Sequence, residues 1–185
     1  MAQENPHGDL VLTDPEVARL LAEPDRYTLL THLQRQERTT VDDLASRLRR
    51  PPSEVETHLR VLAEHGLVRE VAGHAWEALG RGLLVELPAD AAGQEATRLL
   101  TTRMFLDAAA LPAPWWSDDE PRLPAEWRQV AGLINAGLWL TAAELRALDD
   151  RIEELTAPYA TRTEADLPPG ARRVRVQCYF MPEPD

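Results

Sequence analysis

The residues of this sequence best suited to chemistry are a set of arginine, hydroxyl and histidine side chains between residues 47 and 74. Arginine presents a planar fork of N–H donors that fits phosphate oxygens and the edge of guanine, and serine or threonine can bond to either. Such side chains are suited to contacts with a nucleic acid, but all 20 basic residues of the sequence are arginine, and a GC-rich genome is the better explanation of that content. The candidates are Arg47, Arg49, Arg50, Ser53, Thr57, Arg60, Arg69 and His74.

Catalytic motifs are absent from the sequence. It contains no G-x-S-x-G, no H-E-x-x-H, no P-loop and no glycine fingerprint for a dinucleotide. The acidic run at residues 118–120 is typical of a solvated loop. We therefore expect neither an enzyme nor a cofactor.

Metal ligands are also missing at useful spacings. Cys178 is the one cysteine, and no two histidines stand four residues apart, as a ligand pair on a helix would. Residues 1–10 lack the apolar core of a secretory signal, and no apolar run reaches the length of a membrane span. We expect a cytoplasmic protein that has no metal site and does not enter a membrane.

Four tryptophans lie close together in the second half of the sequence: Trp115, Trp116, Trp127 and Trp139. Aromatic rings can line a pocket, which gives the hypothesis of a small apolar effector bound between the two halves of the chain. The alternative is ordinary packing of a loop onto the last helix and strand, and it is the more common outcome for such residues.

Capping residues and apolar spacing predict four helices and a hairpin in the first half. Thr40 with Asp43, and Ser53 with Glu56, have the spacing of capping boxes, and Gly66 suits a helix end. The predicted helices start at Asp14-Pro15, run over residues 25–34, start at Thr40, and run from Ser53 to about Gly66. The predicted strands are residues 67–71 and 75–79.

The second half predicts a long helix and a small α+β region. The long helix covers residues 89–111, a short one covers 125–130, and Thr141 with Glu144 caps another. Residues 172–181 alternate apolar and polar side chains, which predicts a strand with Val174, Val176 and Cys178 buried, paired with a strand near Leu138.

The net charge is −11, which is unusual for a protein that binds a polyanion. The charge is uneven, because residues 38–69 carry six arginines against five acidic residues. This segment, which holds most of the candidate binding residues, is therefore nearly balanced.

Residues 41–68 resemble the ArsR-type winged helix-turn-helix family. Family members have a D/E-L-A-x-x-L helix followed by V-S-x-H-L-x-x-L-x-x-x-G-L-V. The matching positions here are Asp43-Leu44-Ala45, Leu48, Val55, His58-Leu59, Leu62 and Gly66-Leu67-Val68. The second half is similar to the C-terminal extension of ArsR-like regulators at Trp127-Arg128, Leu140-Thr141 and residues 170–176.

The resemblance implies a mainly α fold with small β: a winged helix-turn-helix in residues 1–85, then a long helix and an α+β region in residues 86–185. It implies a transcriptional regulator, a homodimeric repressor that binds double-stranded DNA and dimerises through the long helix. The alternative for that helix is packing within the chain.

Glu56 departs from the family pattern, where a small hydroxyl residue is usual. A capping box with Ser53 would fold its carboxylate onto the helix end, whereas an exposed carboxylate would repel phosphate or accept from cytosine. Glu54 and Glu56 together support an alternative function, a winged-helix protein-interaction module that has lost DNA binding.

Overall fold

The computed structural model describes residues 3–5, 8–35, 38–160, 162 and 164–184. The chain forms two compact units, Met1–Pro112 and Ala113–Asp185. The long helix predicted to follow the winged helix is part of the first unit, and every strand described also lies there.

The N-terminal unit runs through short strands, helices, a hairpin and a long helix. In chain order its elements are β1 (Gln3–Glu4), β2 (Leu10–Leu12), α1 (Pro15–Leu21), α2 (Pro24–Arg35), β3 (Thr39–Thr40), α3 (Val41–Leu48), α4 (Pro52–Glu64), β4 (Val68–Val71), β5 (Ala75–Ala78), β6 (Leu83–Val85) and α5 (Ala91–Ala109). The four helices and the hairpin appear in the predicted order.

Capping side chains begin two helices where the sequence predicts them. The Asp14 carboxylate accepts a 2.8 Å hydrogen bond from the backbone N–H of Glu16 at the start of α1. At the start of α3, the Thr40 hydroxyl accepts from the Asp43 N–H at 3.2 Å and donates to the Asp43 carboxylate at 2.8 Å. These bonds satisfy N–H groups that the first turn of a helix leaves unpaired.

Two small sheets flank the helices. β3, β5 and β4 form an antiparallel sheet with β5 in the middle, in which Arg69 lies opposite Glu77. In the second sheet, β2 pairs antiparallel with β1 and parallel with β6, and Leu10 is in register with Leu83. The sequence did not predict this second sheet, because its strands are only two or three residues long.

A single apolar core contains residues from all five helices, α1 through α5, and from the antiparallel sheet. Burial of each leucine contributes about 1.5–3 kcal/mol before the entropy of ordering is counted. The fully buried leucines are Leu12, Leu21, Leu29, Leu30, Leu33, Leu44, Leu59, Leu62, Leu67 and Leu100.

The inner side of α5 packs against α1 within the same chain. Gly93, Ala96 and Leu100 are buried on this side. A Cβ atom on Gly93 would overlap the backbone oxygen of Pro88, so only glycine fits there. Across the contact, the Arg19 guanidinium donates to the backbone oxygen of Ala92 at 3.1 Å.

In the described residues of the C-terminal unit, the regular elements are all helical, and residues 131–141 and 171–184 have no regular structure. A turn, α6 (Pro112–Pro114), leads into this unit and is followed by a π-helical turn (Trp115–Asp119), a 3-10 turn (Glu120–Arg122), α7 (Ala125–Val130), α8 (Ala142–Ala160) and a 3-10 turn (Glu164–Asp166). The predicted capping box begins α8, where the Thr141 N–H donates to the Glu144 carboxylate at 2.8 Å.

The predicted C-terminal strand is wrong. Residues 131–141 and 171–184 form no strand, so residues 172–181 do not pair with a strand near Leu138. Val174, Val176 and Cys178 are exposed rather than buried. An alternating pattern marks a strand that could have one buried face, but hydrogen bonds to a neighbour are needed to form it.

The chain is mainly helical with small sheets, as predicted. In the described part of the chain, no helix is both long enough and apolar enough to cross a bilayer.

Candidate nucleic-acid interface

A tight turn between α3 and α4 sets the position of α4. Arg49 ends α3 in the left-handed conformation, with φ of 54°, and its backbone N–H donates to the carbonyl of Ala45. Arg50 follows, and Pro51 is the residue that precedes α4. Pro51 disfavours a helical conformation at Arg50, so the chain breaks here and restarts as a new helix.

Ser53 does not cap α4, so the predicted capping box with Glu56 is wrong. The helix already begins at Pro52, and no side chain caps it. Proline suits the first helical position because its ring fixes φ and it has no N–H to satisfy. Ser53 therefore lies inside the first turn, and the Glu56 carboxylate is left for another partner.

α4 separates an apolar side from a polar side. The buried residues are Val55, Leu59 and Leu62, and they join the core with exposures of 1%, 0% and 0%. The exposed residues are Pro52, Ser53, Glu54, Thr57, Arg60 and Glu64. The apolar residues at helical spacing therefore pack one side of α4 against the core. The opposite side presents the predicted contact residues to solvent.

Arg60 and Glu56 form an ion pair one turn apart on α4. A terminal nitrogen of the Arg60 guanidinium donates to Oε1 of Glu56 at 2.6 Å. This hydrogen bond, together with the charge of Glu56, raises the pKa of Arg60 above its usual value, and the charge of Glu70 on β4 adds to the effect. α4 also packs against β4, the strand that carries Glu70.

The Thr57 hydroxyl is also engaged on the helix. It donates to the backbone oxygen of Ser53 at 2.8 Å. The bond uses the hydroxyl proton, so Thr57 can still accept from an outside donor but is not free to donate to one.

The three arginines near the turn differ in their surroundings. Arg50 donates to the Asp25 carboxylate of α2 at 3.0 Å, and this hydrogen bond raises the pKa of Arg50 above its usual value. Arg47 and Arg49 are exposed, and within the described residues neither has a carboxylate at ion-pair distance. Among the described residues, Arg47 and Arg49 are therefore cations beside α4 that no carboxylate neutralises.

The hairpin of β4 and β5 carries the other two predicted contact residues. Gly73 and His74 both have positive φ, 81° and 57°, which turns the chain. Nε of Arg69 donates to Oε1 of Glu77 at 2.7 Å, and Nδ1 of His74 lies 3.0 Å from the Glu70 carboxylate. Both candidate residues are therefore paired with acidic side chains.

Arg38 also pairs with Glu77, but the sequence analysis did not identify it as a candidate. Its Nε donates to the second oxygen of Glu77 at 3.3 Å. Arg69 and Glu77 could have been paired in advance, since they stand at equal distances on either side of Gly73 in a predicted hairpin. Arg38 gave no such signal, because the short strand after it was not predicted.

The four candidate tryptophans are placed differently within the C-terminal unit. Trp115 and Trp116 are in contact, with ring centroids 5.9 Å apart. Trp127 lines a shallow cavity of about 370 Å³ with Glu126, Val130, Pro169 and Gly170, and Trp139 is fully exposed. The described contacts bring two of the four together.

Candidate metal ligands do not gather anywhere in the described ranges of the chain, where no group of three His, Cys, Asp or Glu side chains could hold a metal ion.

Comparison with protein families gives a match over part of the chain. No curated protein matches the chain. A family model described as a helix-turn-helix domain matches residues 21–71. This stretch contains α2, α3, α4 and β4, the elements that carry most of the candidate interface. The match therefore supports a DNA-binding regulator of the helix-turn-helix class in general.

Proposed function

We propose that this protein is a transcriptional regulator that binds double-stranded DNA as a homodimer and represses transcription, with the ArsR-like form of the winged helix and no metal site. The observation that carries the proposal is the exposed polar side of α4, held by three buried residues. Repression and the ArsR-like type rest on the sequence resemblance described above.

The geometry fits the way a helix-turn-helix reads DNA. A major groove admits one helix, whose first turns meet base edges while flanking residues hold phosphates. Ser53, Thr57 and Arg60 would face the bases, and Arg47 and Arg49 would contact the backbone beside the groove. Arg50, Arg69 and His74 can contribute once DNA phosphates displace the carboxylates that now pair with them.

The outer side of α5 supports the dimer. Leu99 and Leu106 are exposed on this helix, and their separation of seven residues puts them on the same face. Large apolar side chains gathered on one helix face mark an interaction surface, and a second copy can cover it with the same residues. A two-fold dimer also presents two α4 helices to a palindromic site.

Sedimentation velocity tests the dimer. The wild-type protein is expected to sediment as a dimer and Leu106→Glu as a monomer. Leu84→Glu changes an exposed leucine on β6 and is expected to leave the dimer intact. A monomeric wild-type protein would contradict the proposal.

A gel-shift experiment with DNA from upstream of the protein's own gene tests the function. Binding is expected at ~50 mM salt, where phosphate contacts are strongest, and is expected to weaken steeply towards ~200 mM. Absence of any shift at the lower concentration would contradict DNA binding.

The ion pairs favour a second candidate function, a protein-interaction module. Arg50, Arg60, Arg69 and His74 all contact carboxylates, which reduces the positive potential that DNA needs. Under this alternative the same gel-shift experiment shows no bound DNA, either with wild-type protein or with variants of α4 residues.

As a further part of the proposal, a small apolar effector binds at the shallow cavity that Trp127 lines. Binding there is expected to change tryptophan fluorescence on titration with apolar compounds, and Trp127→Phe is expected to remove the response. A flat response across diverse compounds would contradict it.

A further inference from the structure

Glu56 and Arg60 place an acceptor beside a set of donors on the exposed side of α4. Oε1 of Glu56 and a terminal nitrogen of Arg60 are 2.6 Å apart, and the two side chains are 47% and 69% exposed. Since Ser53 does not hold Glu56 in a cap, the carboxylate stays next to the guanidinium and faces solvent with it.

The order of these groups matches the edge of one base pair. In the major groove a G·C pair shows two acceptors, N7 and O6 of guanine, followed by one donor, N4 of cytosine. An A·T pair shows acceptor, donor, acceptor, so the two pairs are distinguishable. Arginine supplies two parallel donors to guanine, and the carboxylate beside it supplies an acceptor for cytosine N4.

We propose that Glu56 and Arg60 act as one recognition unit that selects a G·C base pair, with Arg60 donating to guanine and Glu56 accepting from cytosine. The ion pair orients the guanidinium before DNA binds, so less side-chain freedom is lost on contact. This inference rests on the proposed function, since it names the base pair that the α4 helix reads.

The unit also explains the presence of an acidic residue on this helix. Glu56 weakens the attraction of the protein for every DNA phosphate, but it adds discrimination between base pairs at one position of the site. Affinity for DNA in general and selectivity at that base pair are therefore expected to change in opposite directions when Glu56 is removed.

Selection from a pool of random duplexes tests the proposal with wild-type protein, Glu56→Ala, Arg60→Ala and Glu54→Ala. Wild-type protein is expected to select a G·C pair at one position of each half-site. Glu56→Ala and Arg60→Ala are both expected to relax that same position, each losing about 5- to 150-fold in discrimination. Glu54→Ala removes an equal charge from the same helix and is expected to keep the wild-type preference.

Affinity for a scrambled duplex provides the second readout. Glu56→Ala and Glu54→Ala are both expected to bind it more tightly than wild type, because each removes a negative charge near phosphate. If Glu56→Ala keeps the wild-type preference, or if Glu56→Ala and Arg60→Ala relax different positions, the recognition unit is wrong although DNA binding stands. If wild-type protein selects no sequence, the proposed function fails as well.

Discussion

Oε1 of Glu77 accepts a hydrogen bond of 2.7 Å from Nε of Arg69, its partner across the β4–β5 hairpin. The same carboxylate, 16% exposed, also accepts from Arg38, which precedes β3. Because β5 is the central strand, this one carboxylate links it to β4 through Arg69 and to the residue before β3 through Arg38.

Glu77→Gln is expected to lower the free energy of unfolding by about 1 kcal/mol at neutral pH, the scale of partly exposed ion pairs. The hydrogen bond from Arg69 is the main cause that lowers the pKa of Glu77 below 4.5. The stabilisation is therefore present above that pH and is lost as the pH falls through the lower folded pKa. Urea unfolding of both proteins at neutral and acidic pH checks this. Equal stability at neutral pH would contradict it.

Arg49→Gly is expected to raise the stability of the protein and to weaken its binding to DNA. Arg49 has φ of 54°, a left-handed conformation that glycine adopts without steric cost. The variant is expected to gain up to about 1 kcal/mol of stability, less the entropy that glycine adds to the unfolded chain. It is also expected to bind DNA more weakly at all sequences, with a shallower salt dependence. Thermal unfolding and anisotropy titrations measure both. A variant that is less stable and binds DNA as well as wild type would contradict both roles.

Gly93→Ala tests the start of α5. A Cβ atom would overlap the backbone oxygen of Pro88, so the start of the helix must move away from Asp90, whose carboxylate accepts from the Gly93 N–H at 2.8 Å. Unfolding free energy is expected to fall by about 3 kcal/mol, the upper range for overpacking. Gly132→Ala is the matched control, since a Cβ atom there meets nothing within 4 Å. A small, equal effect of the two substitutions would contradict the close packing.

His32 predicts a loss of stability in mild acid. Burial is the main cause that lowers its pKa below 6.5, and the positive charges of Arg47 and Arg35 add to it. The unfolded chain then binds the proton more readily than the folded protein, so stability is full above pH 6.5 and falls as the pH drops below it. His32→Gln is expected to flatten this part of the pH profile. An unchanged profile in the variant would show that another group causes the loss.

Local signals in the sequence predicted the starts of several helices in both units. Asp14, Thr40 and Thr141 cap helices where their spacing indicates, since capping depends on residues three or fewer apart. The buried side of α4 also follows from spacing, because Val55, Leu59 and Leu62 recur with the helical period.

Features that depend on distant partners could not be predicted. β2 pairs with β6 more than seventy residues away, and no local pattern encodes that register. The Ser53 cap failed because two prolines start α4 earlier than the hydroxyl indicates. The ion pair of Arg50 with Asp25 required the packing of α2 beside the turn, which spacing alone does not give.

Anisotropy titrations with a labelled duplex from the protein's own upstream region test the central claim, that the exposed side of α4 contacts DNA. We expect wild-type protein to bind at ~50 mM salt and Arg60→Ala to lose about 1–3 kcal/mol on this duplex. Arg146→Ala, which removes the same charge from exposed α8, is expected to bind like wild type. No binding by wild-type protein, or equal affinities of the two variants, would contradict the account.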